Sequence, residues 1–396
     1  MGLPTALLLA RSGIRVYGFD IDTNKIDLLK KGRLPFEEKG LDSLFDEAKD
    51  YFTPIESLKD SDVFILTLPT PITEEKTCDI SYVVSAVKSV CSVLKDEDLL
   101  VLESTVSPGT TVNTVKPLLD ETGKKYFLSY VSEKAIPGDT IHEMQYNHRI
   151  IGGINEESAQ LTKEVYDHFV TSSIHLTDCT TAETVKLLEN TYRDVNIALA
   201  NELSERLTQF NVNAWEAIQL ANFHPRVNLH KPGPGVGGHC IAIDPWFLVN
   251  EDTPLIHLAR KINDNMPKKV VSLVEQVVGN KTDASIVLLG VAYKGNVDDD
   301  RESPTYEIRS ILESKGYMVS LYDPLIKNNP DISTDLSIVT HDADCLVLVT
   351  DHNEFKTIDP ADITNMRSKN LVDTRNVVDH KKWKDNGFSV TVLGRS

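Results

Sequence analysis

The sequence predicts an α/β protein with two doubly wound domains joined by a long central helix, the first strand of the N-terminal domain being absent. Three observations carry this reading. Apolar runs alternate with amphipathic segments over residues 1–176, sustained three- and four-residue spacing takes over from Thr180, and strand and helix patterns alternate again from 280 to the end. A chain of 396 residues is too long for one ordinary domain, and the expected division is 1–176, 177–279 and 280–396.

In the first segment the strand candidates are IRVYGFDID around Asp20, DVFILTLPTP to Pro71, DLLVLESTV to Val106, KYFLSYVSE to Glu133 and the shorter HRIIGG at Arg149. Each is an apolar run bounded by turn residues. The stretch SYVVSAVKSVCSVLK between two of them is amphipathic at helical spacing. From Thr180 to Asn222 a single helical stretch is expected, with Val185, Leu188, Val195, Leu199 and Leu203 on one side. KPGPGVGGHC then interrupts it, and a further helical region runs to about Gly279. ASIVLLGVAYKG, YMVSLYDP, DCLVLVT and KNLVDT supply the strands of the last segment.

A formal net charge of −18 repels nucleic acid and anionic membranes, so any phosphate-bearing ligand must be held by local basic residues. No apolar run approaches the roughly 18 residues of a membrane span. The opening MGLPTALLLA lacks the basic start of a signal peptide, and a cytoplasmic location is expected. Five cysteines are widely spaced with no CxxC pair, so they are expected to stay reduced, and no metal site is expected.

Asp20 closes the first strand candidate. There a carboxylate either accepts hydrogen bonds from an adenosine ribose, which favours NAD over NADP, or merely caps the next turn. A Rossmann-like dinucleotide fold opens with a strand and G-x-G-x-x-G, of which only the last glycine, Gly2, is present. Met1 is therefore expected to be internal to the motif, with a natural chain extending upstream by about ten residues.

Cys240 ends a glycine-rich loop that lets backbone approach a ligand closely, and Asp244-Pro245 reads as an N-cap and first helical residue. A thiol just ahead of a helix N-terminus tends toward thiolate, although capping alone explains Asp244. Lys186 and Asn190 share a helix face, with Arg193 one step further. The stripe is either an ordinary solvated face or an ammonium and an amide poised to stabilise a developing oxyanion, as alcohol oxidation requires.

With those residues in view, the sequence resembles the UDP-glucose/GDP-mannose dehydrogenase family over nearly its whole length. Seven motifs occur in order: GLP at Gly2, LPTP at Leu68, ESTVSPGTT at Glu103, KLLENTYRDVNIALANE at Lys186, PGVGGHCIAIDP at Pro234, AYKGNVDDDRESP at Ala292 and VDTRNV at Val372. The resemblance implies an NAD domain, a central helical dimerisation region and a C-terminal UDP-binding domain. It implies a four-electron oxidation with two NAD, in which Cys240 captures the sugar aldehyde as a thiohemiacetal that becomes a thioester. On the same basis Lys186 and Asn190 steady the oxyanion, Asp244 places or activates water, and Thr105 and Glu133 lie near the nicotinamide and the hydrolytic water. NAD contacts fall on Gly2, Asp20, Lys25, Thr70 and Thr105. Sugar-nucleotide contacts fall on Lys134, Ala135, Lys186, Asn190, Arg193, Gly237, Lys294 and Arg375, with His224 and Arg226 reaching in from a neighbouring subunit. Arg149 and Arg301 are either further contacts or structural ion-pair partners. Lys134 stands where arginine is usual and Ala242 where proline is common. The missing glycines also leave open a catalytically silent nucleotide-sugar binder. Within the family the cysteine loop is similar to the branch acting on UDP-N-acetylhexosamines, the mannosamine sugar ahead of its glucosamine epimer. A homodimer is implied, with a tetramer as the alternative.

Overall fold

The computed structural model describes residues 1–279, 281 and 283–395. The chain divides into two compact units, 1–189 with 246–248, and 190–245 with 249–395.

The first unit opens on the helix Gly2–Arg11, followed by strands β1 (Val16–Phe19), β2 (Phe52–Ile55), β3 (Val63–Leu66), β4 (Asp98–Leu102), β5 (Tyr126–Val131), β6 (Arg149–Gly153) and β7 (Ile174–Asp178). β1 pairs in parallel with β2, and β3 to β7 form a second sheet in sequential order. That sheet is parallel except where β6 runs against β5. Alternate residues of β4 serve opposite faces: Leu99 and Val101 join a cluster with Leu7, Leu8 and Tyr166, while Leu100 and Leu102 pack with Val83, Val87 and Leu119. A strand apolar on both sides reads as a continuous hydrophobic run, which is how β3, β4 and β5 appear in the sequence.

In the second unit, β8 (Ser285–Leu289), β9 (Met318–Tyr322), β10 (Ile332–Ser333), β11 (Cys345–Leu348), β12 (Asn370–Asp373) and β13 (Ser389–Val392) form one parallel sheet in the order β10-β9-β8-β11-β12-β13. Ile286 and Leu288 face one core, and Val287 and Leu289 the other. The five- and six-stranded sheets are thus covered on both faces, as a doubly wound fold requires.

Two expectations need correction. The stretch from Thr180 to Asn222 is two helices, Cys179–Thr208 and Ala214–Ala221. Asn211 adopts a left-handed φ of 56°, and the Asn213 side chain caps the second helix by accepting from Trp215 N. Nor is the long helix buried along its expected apolar stripe. Leu188 and Leu199 are exposed, while Glu183, Asn190, Asp194, Asn201 and Ser204 are buried.

Candidate functional site

The cysteine loop belongs to the second unit. Cys240 is exposed, and its carbonyl accepts from Ile243 N (3.2 Å) and Asp244 N (2.8 Å). The helix that follows is a five-residue 3-10 turn, Asp244–Leu248, so Asp244 lies inside it rather than capping it. Such a turn has little dipole to offer the sulfur, which corrects the expectation that a helix N-terminus tunes this thiol. The loop is instead packed against the segment 293–302. Gly238 has a φ of 80°, its N–H donates to the Arg301 carbonyl (3.2 Å), and a Cβ there would sit 2.9 Å from the Tyr293 ring. Gly237 is equally confined, a Cβ falling 2.5 Å from the Glu302 carbonyl oxygen. Arg301 is held by Asp299 through two hydrogen bonds (2.8 and 2.6 Å). That hydrogen bonding, with the negative charge of Asp299, raises the Arg301 pKa.

Asn190 Nδ2 donates to Asp244 Oδ2 at 2.6 Å, and both residues are buried. Asn190 and Asp244 are thus bonded through their side chains, and Asp244 is bonded to the backbone of Cys240. Lys186 stands one helical turn before Asn190 but belongs to the first unit. Arg193, His224, Arg226 and Lys294 are exposed on the second unit. Arg375 Nε donates to the Val349 carbonyl (2.8 Å), and its Nη1 would lie 2.8 Å from a Cβ placed on Gly233.

In the first unit, the helix Gly2–Arg11 has no side-chain cap on its first N–H groups, which suits an anion. A Cβ on Gly2 would collide with Thr67 Oγ1, so only glycine fits this approach to the end of β3. Asp20 follows β1, its Oδ1 accepting from Asp22 N (2.8 Å) and its Oδ2 pairing with Lys25 (3.3 Å). Thr70 Oγ1 donates to the Thr105 carbonyl (2.6 Å), joining two of the expected cofactor residues. A helix N-terminus and a carboxylate at the end of a neighbouring strand fit a dinucleotide.

Glu133 is buried and fully engaged. Oε1 accepts from Lys134 N and Ala135 N, both at 2.6 Å, and Oε2 pairs with Arg149 Nη1 at 2.6 Å. Arg149 also faces Glu103 (3.6 Å), which accepts from the Tyr166 hydroxyl (3.0 Å). Burial and the neighbouring Glu133 push Glu103 up to about 7, while Arg149 and the backbone donors hold Glu133 low against its own desolvation. Arg149 is thus an ion-pair partner. The Lys134 ammonium pairs with Glu189.

Two buried acids escaped sequence reasoning. Glu183 accepts from Gly109 N (2.6 Å), Thr111 N (2.8 Å) and Thr111 Oγ1 (2.6 Å), pinning the turn after the Thr105 motif. Asp194 pairs with Arg260 (2.5 Å) and accepts from Asn263 Nδ2 (2.7 Å). Asn263 in turn accepts from Asn201 Nδ2 (2.9 Å), and Asn201 Oδ1 accepts from Gly233 N (2.8 Å) in the loop leading to Cys240. The one available signal was an acidic or amide side chain recurring along a helix.

Residues 1–170 match the NAD binding domain of the UDP-glucose/GDP-mannose dehydrogenase family, 180–265 its central domain and 287–380 its UDP binding domain. A UDP-N-acetyl-D-mannosamine dehydrogenase from Methanococcus aeolicus is 42% identical over all of this chain and 93% of its own length. The structure of a UDP-D-ManNAc dehydrogenase from Pyrococcus horikoshii superposes with a TM-score of 0.93 at 38% identity, covering 100% of this chain and 97% of that one. The UDP-N-acetyl-mannosamine dehydrogenase of Staphylococcus aureus gives 0.90 at 37% identity, covering 100% and 96%. With all three of its domains matched in order and a relative 42% identical over the whole of this chain, the chain belongs to the UDP-glucose/GDP-mannose dehydrogenase family of NAD-dependent oxidoreductases.

Proposed function

We propose that this enzyme oxidises UDP-N-acetyl-D-mannosamine to UDP-N-acetyl-D-mannosaminuronate, with NAD as oxidant and Cys240 as nucleophile. The observation that carries the reading is the Cys240–Asp244–Asn190 cluster: one hydrogen bond ties Asp244 N to the Cys240 carbonyl, and another ties the Asn190 amide to the Asp244 carboxylate. The sugar is taken from the relatives, which are UDP-N-acetyl-D-mannosamine dehydrogenases.

Bound NAD, held on 1–176 by Gly2, Asp20, Lys25, Thr70 and Thr105, supplies the hydride acceptor for each two-electron oxidation. The remaining work falls to the chain. Loss of a hydride from carbon six of the alcohol, its hydroxyl proton passing to solvent, gives the aldehyde; the Cys240 thiolate adds to that carbon, forming a C–S bond and an oxyanion that Lys186 and Asn190 stabilise. Loss of hydride from that carbon leaves a thioester. Water, placed by Asp244, then breaks the C–S bond, releasing the carboxylate and returning the thiol. Because Glu133 already accepts two N–H groups and an arginine, its contribution is to fix the backbone at Lys134 and Ala135. The segment 280–396 binds the UDP-sugar through Lys294 and Arg375, and Arg193, Gly237, Lys134, Ala135, His224 and Arg226 complete the contacts.

The segment 177–279 pairs two copies into a homodimer; the exposed Tyr192, Leu220, Phe223, Leu255 and Leu258 support such a face. No helix among the described residues is long and apolar enough to cross a membrane. The cytoplasm, which supplies NAD and UDP-sugars, is the proposed location. The test is NADH yield per sugar with UDP-N-acetylmannosamine and its glucosamine epimer, for the wild type and Cys240→Ser. Two NADH per mannosamine sugar and loss of acid in the variant are expected. Full acid production by Cys240→Ser would refute covalent catalysis, and faster turnover of the epimer would reassign the substrate.

A further inference from the structure

Lys294 is exposed on a loop, 290–296, whose backbone is fastened by two fully buried side chains outside the reaction just described. Asp323 directly follows β9. Its Oδ2 accepts from Val291 N (2.7 Å) and Ala292 N (3.0 Å), and its Oδ1 from Leu325 N (2.9 Å) and Ile326 N (3.3 Å). His352, beyond the end of β11, reaches the same loop from the other side. Its Nδ1 accepts from Asn296 N (3.0 Å), so the ring proton of the neutral imidazole sits on Nε2, where it meets Asp323 Oδ2 at 3.1 Å. Asn296 has a left-handed φ of 64°, and its side-chain oxygen accepts from Asn353 N (2.9 Å). Thr350 Oγ1 donates to the Ala292 carbonyl (2.6 Å). Donors and acceptors on both sides of Lys294 are thus committed, and Lys294 itself is exposed.

A buried carboxylate and imidazole are costly unless they organise something. Here they set the backbone on either side of one lysine. We propose that Asp323 and His352 are positioning residues that hold the 290–296 loop, and with it the Lys294 ammonium, in the geometry that binds the nucleotide sugar, an inference that rests on the substrate reading of Lys294 above.

The test compares His352→Phe, Lys294→Ala and the double variant by steady-state kinetics with UDP-N-acetylmannosamine. His352→Phe keeps a planar ring but deletes both hydrogen bonds. A rise of roughly tenfold in KM for the sugar nucleotide is expected, with kcat within about threefold and KM for NAD unmoved. The double variant should raise the KM for the sugar nucleotide no further than Lys294→Ala does, because the ammonium that the loop positions is then gone. An unchanged KM in His352→Phe, or losses that multiply in the double variant, would overturn the proposal while leaving the substrate reading intact. An unchanged KM in Lys294→Ala would overturn the substrate reading at this residue and the proposal with it. Should His352→Phe fail to fold, Thr350→Val removes a single bond at the loop's edge. It should raise the same KM about threefold, and no change there counts against the proposal.

Discussion

Replacing Arg260 by methionine tests whether the polar network behind the cysteine loop stabilises the second unit. The Arg260 side chain is 2% exposed and Asp194 0%. After the change, the Asp194 carboxylate keeps the hydrogen bond from the amide of Asn263, and its Oδ2 has no hydrogen-bond partner even in the native protein, among the described residues. Breaking a buried pair in this way costs about 3–5 kcal/mol. The second contact of Arg260, to Asp264 at 48% exposure, adds only about 0.5 kcal/mol. At about 2–4 °C per kcal/mol for a unit of this size, the melting temperature should fall by roughly 6–20 °C. Burial already raises the Asp194 pKa from its ordinary value against the pull of Arg260 and Asn263. The native state therefore holds that proton more tightly than the unfolded state, and stability declines as pH rises through the folded value. Without the guanidinium the folded pKa moves higher still, so the penalty should be largest near pH 8 and shrink toward pH 5. Urea denaturation at pH 5, 7 and 8 measures this, and adding Asp194→Asn should restore more than half the loss. A penalty below about 1 kcal/mol, or one equal at pH 5 and 8, would refute the assignment of the cost to an uncompensated buried charge.

Three other perturbations read different parts of the molecule. Glu103→Gln mimics the protonated carboxyl: wild-type stability should decline as pH rises from about 4.5 to about 7, and the variant should be flat over that window, as seen in denaturant midpoints. Gly238→Ala forces a side chain into a left-handed backbone against the Tyr293 ring, at a strain of about 1–3 kcal/mol. A fall in kcat/KM of tenfold or more is expected, and wild-type kinetics would show that the loop is not confined. Asn190→Asp puts a second carboxylate 2.6 Å from Asp244, so the pair must share a proton. Its kcat should drop about 100-fold at pH 8 and recover partly at pH 6, whereas a pH-independent rate would show that the two groups do not couple.

What the sequence made legible follows from how far each interaction reaches along the chain. β4 and β8 were visible because both faces are apolar and four consecutive residues announce it. β2, which contains Pro54, and β7, with exposed His175 and Leu176, sit at sheet edges and carry too little apolar sequence to stand out. The long helix misled for a deeper reason. Its buried positions Glu183, Leu187, Asn190, Asp194, Ala198, Asn201 and Ser204 follow three- and four-residue steps faithfully, but most are polar, so a search for an apolar stripe settled on Leu188 and Leu199 instead. Glu183, Asn190, Asp194 and Asn201 are satisfied by Thr111, Asp244, Arg260, Asn263 and Gly233, each 32 or more residues away, and no local pattern records such partners. Cys240 could be read from its glycines, whereas its link to Asn190 rested on family resemblance until the fold joined them. A polar helix face is expensive to bury unless each group is matched, and here the matches lead to the turn beyond Thr105, to Asp244 and to the loop before Cys240. The helix gives up hydrophobic burial in order to fix the three segments on which the proposed chemistry depends.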